Sequence, residues 1–245
     1  MLELKNISFS AEGENGEKEI LKNISLKIDN GFTVITGPNG GGKSTLAKII
    51  AGIITPSEGQ ILLDGEDITA LSITERAKKG ISFAFQQPVR FKGITVHDLI
   101  SLAAGKNISV GEACAYLSKV GLCARDYINR EVNASLSGGE LKRIEIASVL
   151  ARSTKISLFD EPEAGIDLWS FNSLIKVFED MHETLGGSII IISHQERILN
   201  IADRIIVVSA GNIKDSGSRE EILPQLLGTA DTGCRVLAGK AEVQK

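Results

Sequence analysis

Cysteines, long apolar runs and a leader pattern are scarce or missing in this chain of 245 residues. Its three cysteines, Cys114, Cys123 and Cys234, are odd in number and lack Cys-x-x-Cys spacing, which argues against a disulfide framework or a zinc site. The run of four isoleucines at 189–192 is far too short to span a bilayer. The N-terminus has no signal-peptide pattern. We therefore expect a cytoplasmic protein with reduced thiols.

The charge balance also excludes some partners. Thirty-one acidic residues against 27 Lys and Arg leave a net charge of -4, which does not favour a basic groove for nucleic acid. We expect no nucleic-acid partner. The length suits one large domain with a full hydrophobic core.

Apolar patterns predict an α/β chain. Strands are expected at 2–9, 24–28, 32–36, 60–65, 81–85, 156–160, 188–193 and 204–208, with a polar hairpin loop at 11–19. Helices are expected at 45–53 and 169–185, with a helix or turn at 73–80. The β–α–β order predicts a parallel core sheet. Helical patterns alone fill 88 to about 152, which indicates a helical subdomain inserted into the sheet domain, and 228–245 has the composition of a polar tail.

A glycine-rich loop follows the predicted strand at 32–36. GPNGGGKST matches G-x-x-x-x-G-K-[ST] in the required context, after a strand and before a helix. Backbone N–H groups of such a loop converge on phosphate oxygens, and the helix dipole adds to their field. The alternative, a glycine turn that fits by chance, is weakened by this context. The predicted contacts are Gly37, Pro38, Asn39, Gly40, Gly41, Gly42, Lys43, Ser44 and Thr45.

Four further polar residues end predicted strands. Asp160 and Glu161 close ISLFDE, where the first suits a Mg²⁺ site and the second a general base for water. Gln86 follows ISFAF, where it could contact metal or water, and His194 follows SIIIIS. Taken singly, a strand-end carboxylate, a loop glutamine and a histidine after a buried strand are more often structural than catalytic.

Read in order, these motifs resemble the nucleotide-binding domains of ABC ATPases. The set is GPNGGGKST, FQQP, LSGGE, ISLFDEP, AGID and SH, and it covers residues 1 to about 227 as one domain. The resemblance implies a P-loop NTPase fold of ABC type: a mixed sheet core with parallel central strands, an N-terminal antiparallel β-subdomain and the inserted helical subdomain. It also implies Mg²⁺ with ATP as cofactor.

The resemblance assigns a role to each motif. Lys43, Gln86, Glu161 and His194 are implied as catalytic, and Ser44, Gln86 and Asp160 as metal contacts. Asp167 ends the D-loop. Ser137, Gly138, Gly139 and Glu140 form the signature loop, which in this family caps ATP held by a second copy of the chain. An isologous dimer makes that contact twice.

Local stretches of sequence point to one subfamily. AFQQPVRFKGIT, SLSGGELKRIEI and SHQERIL resemble SufC, the ATPase of SUF iron–sulfur cluster assembly. That likeness implies a soluble SufB/SufD-like scaffold docked near Gln86–Thr95, and it suggests that Lys142 pairs with Glu161 in the resting monomer. Membrane permease subunits are the alternative partner, which would make the chain membrane-peripheral. A DNA-associated ABC-type ATPase is disfavoured because the insert has no sustained heptad. The family's adenine-stacking aromatic is missing near Ala11, so we expect loose selectivity for the base.

Overall fold

The computed structural model describes residues 1–13, 16–133, 135–152, 154–184 and 186–235. Its strands are β1 (Leu2–Gly13), β2 (Gly16–Ile28), β3 (Gly31–Thr36), β4 (Glu58–Leu63), β5 (Glu66–Asp67), β6 (Ile81–Ala84), β7 (Ile156–Asp160), β8 (Ser188–Ile192), β9 (Arg204–Ser209) and β10 (Asn212–Ser218). Its helices are α1 (Lys43–Ala51), α2 (Ile73–Lys78), α3 (Val96–Ala104), α4 (Val110–Lys119), α5 (Ala124–Tyr127), α6 (Gly138–Arg152), α7 (Leu168–Thr184), α8 (Glu196–Asn200) and α9 (Arg219–Arg235).

Two sheets organise these elements. The first is antiparallel, in the order β2-β1-β4-β5, and the second has the order β10-β9-β3-β8-β7-β6. In the second sheet β9, β3, β8, β7 and β6 run parallel, and only β10 is antiparallel. The predicted mixed core with an antiparallel N-terminal sheet is thus confirmed. The parallel strands place their carboxyl ends at one edge, where β3, β7 and β8 lead into the predicted site residues.

The strands of the central sheet are buried on both faces. Every residue of β7 and β8 is buried, as the continuous apolar runs of the sequence predict for strands covered by helices on both sides. One hydrophobic cluster fills the space between one face, α7 and the helices inserted between β6 and β7. A second cluster joins the other face to α1 and the antiparallel sheet. The site edge is therefore held by rigid elements.

The inserted segment starts its helices with sequence-encoded caps. Thr95 caps α3 and Asp98 returns the bond to the Thr95 backbone, and Ser109 and Glu112 repeat this capping box at α4. Helix α6 buries Leu141, Ile144, Ala147 and Ala151, which recur at three- and four-residue spacing, and it packs against α3, α4 and β6. The insert is thus joined to the sheet domain along α6.

Several boundaries shift by a few residues, and the largest differences from the sequence predictions are in the N-terminal hairpin and in the last helix. Strands β1 and β2 extend to Gly13 and Gly16, because the polar segment predicted as a hairpin loop continues the antiparallel pairing. Helix α9 runs to Arg235, into the segment predicted as a polar tail from 228. Residues 236–245 lie outside the described residues, so the tail remains a prediction there. Among the described residues, no helix is both long and apolar enough to cross a membrane.

Candidate active site

The glycine loop is shaped by backbone that only glycine accommodates well. Gly37 has φ 134°, and a Cβ there would lie 2.0 Å from the carbonyl oxygen of Val208 on β9. Gly42 has φ 103° and ends the loop directly before α1 begins at Lys43. A side chain at Gly42 would meet Leu21 at 2.6 Å. The loop is therefore pressed against β2 and β9, with its N–H groups at the N-terminus of α1.

Lys43 is folded back on this loop. Its ammonium donates to the carbonyl oxygens of Gly37 at 2.8 Å and Pro38 at 3.0 Å, and the side chain is buried. These two neutral acceptors hold a cation that has no carboxylate partner among the contacts given for the described residues. A phosphate anion could replace them with a stronger, charge-assisted bond.

Ser44 and Asp160 meet at the edge of the sheet. The Ser44 hydroxyl donates to Asp160 Oδ1 at 3.0 Å, and the Asp160 carboxyl is buried. Burial raises the pKa of Asp160, its neighbour Glu161 raises it further, and the Ser44 hydrogen bond opposes both. A buried carboxylate beside a hydroxyl is an oxygen donor set that suits Mg²⁺, because a cation offsets the desolvated charge. Mg²⁺ bound there would supply charge neutralisation for phosphate oxygens.

Glu161 occupies a strained turn after β7. Its φ is 46°, in the left-handed region, and its N–H donates to the Ile192 carbonyl of β8 at 3.0 Å. Gln86 donates from Nε2 to the Glu161 carboxylate at 2.5 Å. The structure therefore brings the predicted glutamine to the predicted base rather than to Asp160.

Lys142 contacts Glu161, but not as the sequence suggested. Its buried ammonium donates to the backbone carbonyls of Glu161 at 2.5 Å and Ala164 at 3.1 Å. The hypothesis that Lys142 pairs with the Glu161 carboxylate is wrong in this state, because Gln86 bonds that carboxylate and the amine is taken up by carbonyls. Desolvation lowers the pKa of Lys142, and nearby carboxylates oppose the shift.

Glu163 is a residue that sequence reasoning missed. Its Oε1 accepts from the fully buried Ser193 hydroxyl at 2.5 Å, while Oε2 is buried with no hydrogen-bond partner. Burial raises the pKa of Glu163, and the Ser193 bond and His194 oppose the rise. The carboxyl thus connects the turn after β7 to the segment after β8. The only signal in the sequence was a charged residue two positions beyond Glu161.

His194 lies on the predicted sheet edge but outside the cavity wall. It is exposed and follows β8, whose Ile192 pairs with Ile35 of β3 and Asp160 of β7. The cavity beside the glycine loop has a volume of about 720 Å³. Its described lining consists of Lys18, Glu19, Ile20, Lys22, the loop and helix start at 39–45, Gln86, Glu161, Ala210 and Gly211. That lining contains no aromatic side chain and no signature-loop residue.

The signature loop is built as a helix N-terminus on the surface. Ser137 accepts the Glu140 N–H at 3.2 Å, and Glu140 accepts the Ser137 N–H at 2.6 Å, which forms a capping box at α6. The Ser137 hydroxyl also lies within hydrogen-bonding reach of the Glu140 carboxylate. Tyr127 donates to Glu140 at 2.5 Å and lowers its pKa. Ser137 and Gly138 are exposed, and Gly139 is half-buried.

Asp167 acts as a cap of the following helix. Its Oδ1 accepts from the Ser170 N–H at 3.0 Å, and its carbonyl accepts from the Phe171 N–H at 2.9 Å. These bonds fix the start of α7 after the turn that carries Glu161. Any D-loop role across a dimer interface stays a prediction.

Comparison with known proteins agrees with the motif order. A family model described as ABC transporter matches residues 21–164. The uncharacterised ABC transporter ATP-binding protein MJ0035 of Methanocaldococcus jannaschii is 39% identical over 216 residues, covering 84% of this chain and 86% of that protein. The sulfate/thiosulfate import ATP-binding protein CysA of Mesostigma viride is 35% identical over 214 residues, covering 86% of this chain but 61% of its own length.

Solved structures show the same architecture. The ATP-binding cassette MJ0796, a dimer in a post-hydrolysis state with ADP and Pi, superposes with a TM-score of 0.81 at 26% identity, covering 89% of this chain and 99% of that one. The match supports hydrolysis of ATP with Mg²⁺ and association of two cassettes. The chain therefore belongs to the ABC transporter family, as an ATP-hydrolysing cassette.

Proposed function

We propose that two copies of the chain close head-to-tail around two ATP molecules, each site combining one chain's glycine loop with the other chain's signature loop. One observation carries this proposal: the cavity at the glycine loop has no signature-loop residue in its described lining, while Ser137 and Gly138 stand exposed elsewhere on the same chain. A signature loop that does not reach the nucleotide cavity of its own chain is free to contact the ATP bound by the second chain. In each site Lys43, Gln86, Glu161 and His194 act in catalysis, and Ser44, Gln86 and Asp160 are the metal contacts.

Binding begins with an exchange of partners at Lys43. Its ammonium leaves the carbonyls of Gly37 and Pro38 and donates to phosphate oxygens, while the glycine-loop N–H groups cradle the same anion. Ser44 and Asp160 would hold the divalent cation, which would neutralise charge on the phosphate oxygens. The Ser137 hydroxyl, whose oxygen already accepts from Glu140, donates its proton to the γ-phosphate from the opposite chain.

Hydrolysis needs Glu161 to be released from Gln86. In the monomer the Gln86 amide occupies the Glu161 carboxylate, so that carboxylate is not free to accept a proton from water. Once Gln86 turns away, Glu161 orients the attacking water and accepts its proton, while the water oxygen bonds to the γ-phosphorus and ADP leaves. The Gln86 side chain would then contact bound Mg²⁺ or the γ-phosphate. Lys142 keeps the backbone of the turn in place meanwhile, and His194 donates toward the γ-phosphate edge.

ATP binding and hydrolysis drive a conformational change in a membrane permease. The chain therefore lies at the cytoplasmic face of the membrane. Support comes from the relatives, since CysA is named as an import subunit and MJ0035 as a transporter ATP-binding protein. The docking surface is the segment Gln86–Thr95, because it begins with Gln86, whose amide bonds Glu161. A partner bound there could therefore affect the catalytic turn. A soluble SUF-type scaffold is the second candidate, favoured by AFQQPVRFKGIT and SLSGGELKRIEI in the sequence.

One purification separates these candidates. A tagged Glu161→Gln chain would be expressed in its native cells and purified in detergent with ATP. A multi-span membrane protein should co-purify with it. A second Leu102→Asp substitution should abolish that retention, because Leu102 is 69% exposed beside the docking surface. Leu227→Asp, at a 45% exposed leucine on α9, is the matched control and should not. Retention of a soluble scaffold with iron–sulfur colour would replace the permease by the SUF-type partner.

A further inference from the structure

An apolar groove lies between the sheet domain and the inserted helices, next to the docking surface. We name it the docking groove; it has a volume of about 350 Å³. Its walls come from β6 and the segment after it, from α3 and from α6, and its larger apolar side chains are Phe83, Phe85, Val89, Phe91, Leu99 and Leu102. Val89, Phe91 and Leu102 are unusually exposed for apolar residues. Together they form a patch that suits a protein partner.

One carboxylate sits in this apolar lining. Glu145 is half-buried on α6, and its Oε1 accepts the Phe85 N–H at 2.9 Å. That is its one hydrogen bond among the contacts given for the described residues. Burial raises the pKa of Glu145 to about 7, while the Phe85 bond and Lys142 oppose the rise. A carboxylate in such a place is costly unless a cation reaches it.

Among the described residues, no cation is given a hydrogen bond or an ion pair with the Glu145 carboxylate. Lys142 lies one turn away on α6, but its ammonium donates to the carbonyls of Glu161 and Ala164. Arg152 also lines the groove, but it is seven residues further along α6, roughly 10 Å by the rise of a helix. The second oxygen of Glu145 is therefore available to a group that enters the groove.

We propose that the docking groove selects a partner segment with apolar side chains and a single basic side chain, whose cation pairs with Glu145. The inference rests on the proposed function, since it describes the segment by which the permease docks. The groove borders α3, whose nine residues measure about 13 Å, so a helix of two to three turns fits beside it. Apolar contacts supply most of the binding affinity. The buried charge pair determines which segment binds and fixes its position along the groove.

The same contact connects the partner to the catalytic turn. Phe85, whose N–H is bound by Glu145, directly precedes Gln86, whose amide bonds Glu161. A cation that draws the Glu145 carboxylate toward the groove weakens its hold on the Phe85 N–H. The segment that carries Gln86 is then less tightly fixed, and release of Glu161 is favoured.

Synthetic helical peptides test the charge preference. The probes are 14-residue amphipathic peptides of Leu, Ala and Ser that carry one Lys at one of four consecutive positions, each with a counterpart in which norleucine replaces Lys. Fluorescence anisotropy would measure their dissociation constants for the wild type. We expect at least one Lys peptide to bind about tenfold more tightly than its norleucine counterpart, the ratio of a modest buried charge pair. Equal binding of every pair, or no binding up to millimolar peptide, would overturn the inference.

Substitutions test whether Glu145 causes the preference for the Lys peptide over its norleucine counterpart. Glu145→Gln should bind both peptides of the preferred pair equally, whereas Glu179→Gln, at an exposed carboxylate on α7, should keep the tenfold ratio. Persistence of the ratio in Glu145→Gln would refute the role of Glu145. Leu102→Asp should weaken every peptide. If Leu102→Asp has no effect, the docking position in the proposed function fails, whereas a groove that binds without charge preference removes only the present inference.

Discussion

Replacing Glu145 by Gln should change how folding stability depends on pH. In the folded chain burial raises the pKa of Glu145 from an ordinary 4.5 to about 7, so the folded state binds a proton that the unfolded state has released. This carboxyl therefore contributes fully below pH 4.5, and its contribution is lost as pH rises through 7. Glutamine keeps an oxygen for the Phe85 N–H and carries no charge.

The size of the effect follows from the two pKa values. The full difference corresponds to about 3 kcal/mol, and about 2 kcal/mol of it falls between roughly pH 5.5 and 8.5. Urea unfolding of both proteins, followed by circular dichroism across this range, measures it. Glu145→Gln should gain about 2 kcal/mol over the wild type as pH rises, and the exposed-site variant Glu179→Gln should gain nothing. Parallel curves for wild type and Glu145→Gln would refute the reasoning that Glu145 is desolvated in the groove.

Two other substitutions test the site. Gly37→Ala should destabilise the fold by about 3 kcal/mol or more, because its Cβ would lie 2.0 Å from the Val208 oxygen. Gly40→Ala, which has open space and φ 74°, should lose about 1 kcal/mol of unfolding free energy. Urea unfolding measures both losses, and equal losses would contradict the close packing of the loop at Gly37. Lys142→Met should lose about 1–3 kcal/mol and lower kcat with unchanged ATP affinity, because two carbonyls lose their donor. Lys176→Met, exposed on α7, should change neither quantity, and a Lys142→Met enzyme with wild-type kcat would exclude a positioning role.

The fold could be predicted where local pattern and burial agree. Continuous apolar runs such as 188–193 become strands buried on both faces, and the glycine loop lies between β3 and α1 as the motif requires. Capping residues such as Thr95 explain helix starts. Predicted strand ends were wrong where polar residues lie in regular structure, as at the ends of β1 and β2. Backbone pairing there does not depend on an apolar side chain.

The contacts within the site were less accessible to sequence reasoning. The family resemblance suggests that Lys142 meets Glu161, but it does not say whether the amine contacts the carboxylate or a backbone carbonyl. That choice depends on the left-handed turn at Glu161. Glu163 and Glu145 are ordinary acidic residues in the sequence. Their importance comes from burial against Ser193 and in the docking groove, which only the tertiary structure creates.

The shared nucleotide site can be tested by measuring the mass of the particle in solution. A Glu161→Gln chain should be a monomer without nucleotide and a dimer with saturating ATP in sedimentation velocity. Adding Gly138→Arg should keep it monomeric at unchanged ATP affinity, because a Cβ at Gly138 meets nothing within 4 Å in its own chain and the arginine obstructs only the opposing copy. Gly111→Arg on α4 is the control and should leave the dimer intact. An ATP dimer that forms equally well with Arg at 138 would contradict the account.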